Sequence, residues 1–113
     1  MNFKESIKPF RWVEYDAGCS VLLDVGEYKN EIFELRADEG FEGGGYDWQS
    51  LARVFLDEKM PELVSAIKFD SEASMFCAYS ENADSLKEFA LGFKSACEND
   101  KLIQDLFSRA ELD

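Results

Sequence analysis

Apolar residues recur along this chain with two different periods, and the changes of period mark out its elements. From Phe10 to Tyr15 the run F-R-W-V-E-Y interleaves aromatic and β-branched residues with polar ones, the pattern of a strand. Ala17-Gly18 follows as a turn, and Cys19 to Val25 makes a second short apolar run ended by Gly26. So brief a turn predicts an antiparallel hairpin. Between Glu27 and Gly45 the period is lost, although Ile32, Phe33 and Leu35 can line one short helix or strand before Gly40 interrupts it.

Helical spacing begins at Trp48, where Trp48, Leu51, Ala52, Phe55 and Leu56 fall on one face; Asp47 is the expected cap, and the helix should stop before Pro61. Leu63 to Phe69 is ambiguous at its start but ends in I-K-F-D, and Met75 to Tyr79 is apolar enough for a central strand. Asp70 to Ser74 then reads as a hairpin turn. Two helical stripes close the chain: Leu86, Phe89, Ala90, Phe93 and Cys97, capped by Asn82 or Asp84, and Leu102, Ile103, Leu106, Phe107 and Ala110 after Asp100. Both stripes read as core rather than as a dimer face. The order predicts an α+β fold over residues 1–113, one domain with a mainly antiparallel sheet of about four or more strands and helices packed on one face.

Composition narrows the functions open to such a fold. Apolar residues make up 46% of the chain, enough to build a core despite 32% charged residues. Twenty-four Asp and Glu against twelve Lys and Arg give a net charge of −12, which disfavours nucleic acid and anionic lipid and favours a basic protein partner. Cys19, Cys77 and Cys97 are odd in number and form no CxxC, so neither a disulfide framework nor a zinc site is expected. With no secretory signal and no apolar run of membrane length, a cytoplasmic protein is expected.

Candidate chemistry is sparse. Without a single His, the usual activated Ser or Cys nucleophile is missing, and no enzyme is expected. The stretch Asp38 to Gly45 invites a calcium reading, but counted from Asp38 the third and twelfth positions are Gly40 and Gln49, where an EF-hand needs carboxylates. Gly43 to Gly45 lacks the G-K-[ST] ending of a phosphate loop, so no cofactor and no metal site are assigned. An adaptor whose acidic Gly loop binds metal or peptide stays as the alternative function.

Residues 24 to 47 hold the densest run of acids, with Lys29 and Arg36 the only cations. Tyr28, Phe41 and Tyr46 are interleaved with them. Acids that surround aromatic anchors suit the basic surface of another protein, which makes Asp38, Glu39, Phe41, Glu42, Tyr46 and Asp47 the candidate contact residues.

Two blocks in this order, E-G-F-E-G-G-G-Y-D-W-Q-S-L-A (Glu39 to Ala52) and I-K-F-D-S-E-A-S-M-F-C-A-Y-S (Ile67 to Ser80), resemble the immunity protein 51 family. The family's Gly-Tyr-x-Trp core is Gly45-Tyr46-Asp47-Trp48 here, and Phe69, Asp70 and Phe76 carry the second block. Ser71 stands where Pro is expected in many relatives. The resemblance implies a cytosolic, non-catalytic α+β protein of a bacterial polymorphic toxin or contact-dependent inhibition system. Such a protein binds a cognate toxin domain; a monomer is expected, with a dimer left open.

Overall fold

A computed structural model describes residues 2–112 of the chain. A short helix α1 (Phe3–Ser6), which the period analysis did not anticipate, precedes the hairpin of β1 (Arg11–Tyr15) and β2 (Gly18–Asp24). The loosely patterned segment contains α2 (Asn30–Glu34) and a 3₁₀ turn at Ala37–Glu39. Then come α3 (Gly45–Lys59), a 3₁₀ turn at Pro61–Leu63, β3 (Lys68–Phe69), β4 (Met75–Ser80), α4 (Ala83–Cys97) and α5 (Asp100–Phe107). The fold is α+β.

The four strands form one antiparallel sheet in the order β1-β2-β4-β3. Alternation along the strands turns Cys19, Val21, Leu23, Phe76 and Ala78 toward the helices, and all five lie in the buried cluster. Trp48 sits at its centre. Its ring packs against Phe10, Tyr28, Phe33 and Phe93, and α3 and α4 lie against the two central strands.

Two details differ from the pattern reading, each for a local reason. The ambiguous stretch from Leu63 yields a strand only at Lys68–Phe69, because Pro61 opens a 3₁₀ turn that brings Leu63 into the core. Asp47 is not the cap of its helix. Gly44 takes that place in extended backbone, and Asp47 lies within the first turn. Farther on, Asn82 caps α4 by accepting from Ser85 N–H at 3.1 Å, and Asn99 caps α5 by accepting from Leu102 N–H at 3.2 Å.

Candidate functional site

The acidic segment is held by one cation and one carboxylate. Arg36 forms a two-pronged pair with Glu39, at 2.9 Å and 2.8 Å, and its remaining nitrogen donates to the carbonyls of Phe107 and Ala110 at 2.6 Å and 2.7 Å. A guanidinium over the last carbonyl of α5 and that of Ala110 just beyond it satisfies acceptors that a helix end leaves bare. The same group lies 4.6 Å from the ring centre of Phe41 and 5.2 Å from that of Phe107. Its hydrogen bond draws the Glu39 carboxyl below its ordinary range.

Asp47 is the second anchor. Buried at the start of α3, its Oδ2 accepts from the backbone N–H groups of Glu42 and Gly43 at 2.8 Å and 2.9 Å. The carboxylate therefore turns back onto the loop before the helix. Gly43 follows the same constraint from the other side, since its φ of +83° is one that glycine adopts without strain.

These anchors divide the candidate contact residues. Phe41 is 2% exposed and stacks edge-on against Phe107, which removes it from any contact surface: its ring is too apolar to stay out beside an available core. Asp47 is likewise turned inward, and Glu39 is exposed but paired. Asp38, Glu42 and Tyr46 face solvent, Tyr46 with 47% of its surface exposed. Glu42 and Tyr46 line a shallow hollow of about 330 Å³ together with Gly40, Gly44, Ala73 and Leu112. Leu112, about half exposed, carries no sequence signal that links it to this loop.

Electrostatics follow from the pairing. Lys29 bonds Asp100 at 3.3 Å and Arg36 bonds Glu39, so both cations of the segment are engaged. Glu27, Glu31, Glu34, Asp38 and Glu42 are exposed, with no ion-pair partner among the described residues. A negative face results. Burial pushes the thiols of Cys19, Cys77 and Cys97 up, that of Cys97 to about 12, so they are not thiolates near neutrality. Among the described residues no group of three or more Cys, Asp or Glu side chains is placed to hold a metal ion, and no helix is long and apolar enough to cross a membrane.

The residues assigned to the family motif have structural partners. The N–H of Gly45 donates to the carbonyl of Ala73 at 2.9 Å, and a Cβ on Gly45 would overlap the carbonyl oxygens of Glu72 and Met75. Phe76 is fully buried against Phe10 and Phe93, Phe69 packs beside Phe76, and the N–H of Asp70 donates to the carbonyl of Cys77 at 3.1 Å. Ser71 is buried and its hydroxyl accepts from Cys77 N–H at 3.1 Å, so the turn is closed by a side-chain bond that proline cannot make. The family model described as Immunity protein 51 matches residues 10–112.

The chain belongs to the immunity protein 51 family. No curated protein and no solved structure matches it. Within the matched span of this immunity protein lie both anchors, the hollow and the whole sheet. Membership makes it an immunity protein, a class that acts by binding a cognate toxin and is generally non-catalytic.

Proposed function

We propose that this immunity protein neutralises its toxin by covering a basic surface, at the active site or beside it, with the exposed acids of residues 27–42 and with Tyr46. The observation that carries the reading is the consumption of Lys29 and Arg36 in internal pairs, which leaves the neighbouring carboxylates free to meet external cations. Arg36 and Asp47 then act as positioning residues: they fix the loop before binding, so less ordering entropy opposes association. Tyr46 and Leu112 supply apolar surface beside the acids, and an aromatic at the centre of a charged patch is a common anchor of tight interfaces.

Long-range attraction between a chain of charge −12 and a basic toxin also speeds encounter, to a degree that falls with added salt. Occlusion needs no chemistry from the immunity protein. On this reading the toxin belongs to a polymorphic or contact-dependent inhibition system and is met in the cytoplasm of the protected cell.

The direct test is expression of the toxin domain encoded beside this gene, with and without the immunity protein, followed by survival counts and co-purification. Rescue accompanied by a stable complex supports the proposal. Binding that is unaffected by Asp38→Asn, Glu42→Gln and Tyr46→Ala combined would move the contact to another surface.

A further inference from the structure

Among the described residues no helix packs over one face of the sheet. Strand register places Val13, Ser20, Tyr79 and Lys68 in one row and Arg11, Leu22, Cys77 and Asp70 in the next, with Asp24 and Met75 beyond them. Val13, Tyr15, Leu22, Met75, Cys77 and Tyr79 all lie outside the hydrophobic cluster on the helical side. Val13 is 39% and Tyr15 49% exposed, whereas the small residues Ser20 and Cys77 form a floor shielded by larger neighbours. The Tyr15 hydroxyl is hydrogen-bonded to that of Ser20 at 2.7 Å, which holds the aromatic ring along the face. Antiparallel sheets that meet water usually show polar residues on that side.

Charge sets this face apart from the rest of the molecule. Arg11 and Lys68 stand against Asp24, Asp70 and, at one corner, Glu72, so the face is nearly balanced in a chain of charge −12. A basic toxin gains little here. A second copy of this chain, repelled by most of the surface, meets little local repulsion on this side.

We propose that the open face pairs with the same face of a second copy, giving a two-fold dimer of stacked sheets. An axis parallel to the strands carries β1 of one copy over β3 of the other and β2 over β4, and leaves each row in place. Arg11, paired with Asp24 of its own copy at 3.2 Å, then lies over Asp70 of the other copy and bridges the two carboxylates, so the contact is closed by two equivalent ion pairs. In the central strands Leu22 falls over Cys77 and Tyr79 over Ser20, a large side chain against a small one each time, as interdigitating layers require. Stacked sheets cross at about 30°, which displaces the edge strands by a few Å, within the span of an arginine side chain.

Four strands spaced by about 4.8 Å give a face roughly 20 Å wide. A face of that width makes a small interface, of the kind that associates weakly and reversibly, so dimerisation is expected in the micromolar range.

The proposal does not rest on toxin binding by the acidic segment, and its test needs no toxin. Sedimentation velocity of the full chain across the micromolar range should show the mass doubling. Arg11→Asp and Asp70→Arg should each leave a monomer, and the two together should restore the dimer. Circular-dichroism melting checks that each variant folds; Asp70 is exposed and makes no side-chain hydrogen bond or ion pair among the described residues, which keeps Asp70→Arg readable if Arg11→Asp is destabilised. A wild-type monomer at every concentration overturns the proposal, as does a dimer indifferent to both single changes.

Discussion

The backbone N–H of Gly45 donates to the carbonyl of Ala73 at 2.9 Å, and this bond joins the two sequence blocks that carry the resemblance to the family. The start of α3 thereby lies directly on the turn between β3 and β4. Backbone approaches backbone so closely there that no side chain fits.

Gly45→Ala should therefore cost about 3 kcal/mol, since the new methyl group meets the carbonyls of Glu72 and Met75, which the sheet and turn hold in place. Denaturant unfolding monitored by Trp fluorescence gives the value. A midpoint equal to that of the wild type would show that the helix start can shift without loss.

Trp48→Ala should destabilise the fold by roughly 3–5 kcal/mol, because the ring is fully buried among four aromatic neighbours. Trp48→Phe should cost much less. The indole Nε1 is buried and has no hydrogen-bond partner among the described residues, so phenylalanine loses volume and no polar bond. Thermal melts of the two variants side by side measure the difference, and equal losses would mean that the indole nitrogen has a partner after all.

Glu39→Gln and Glu42→Gln should separate two functions within a span of four residues. Replacing Glu39 weakens the clamp on Arg36 and lowers the melting temperature. Glu42→Gln leaves stability nearly unchanged and slows association with a basic toxin, an effect that should shrink as salt is raised. Stopped-flow mixing at two ionic strengths, together with melting curves, distinguishes the outcomes.

Stability should be flat between about pH 5 and pH 8.5, because the chain has no His to titrate there. The Arg36 hydrogen bond to Glu39, the Tyr28 hydroxyl bonded to Glu98, and Arg109 beside Glu58 and Asp105 hold these carboxyls below their ordinary values of 4.5 and 3.8. Their folded values being lower, that stabilisation is present above the ordinary carboxylate range and is lost as pH falls through the depressed values. At the alkaline end the sign reverses. Burial raises Cys97 from 9.0 to about 12 and also raises Tyr28, so unfolding is favoured progressively as pH climbs from 9 toward 12. Urea midpoints against pH should trace a plateau with a fall on each side; a step near pH 6.5 would contradict it.

Much of this architecture was legible in the order of residues because period depends on near neighbours. The hairpin from Phe10 to Val25, the helix through Trp48 and both C-terminal stripes carry the spacing of the element that they form. Local context also narrowed the cap of α4 to Asn82 or Asp84, of which Asn82 takes the place. It failed at Asp47, where a carboxylate able to cap its own helix finds two loop amides in reach and bonds them instead.

By itself the sequence determined the α+β class, the family and the surplus of acids. Only the tertiary structure decided which of those residues meet solvent. Phe41 goes inward because Phe107 and Arg36 close over it, and Leu112 joins the hollow because the end of the chain returns to Gly40. The rows of the open sheet face were likewise fixed by pairing between distant strands. Each of these contacts joins positions far apart in the chain, and burial is set by what folds against a residue, which no local period encodes.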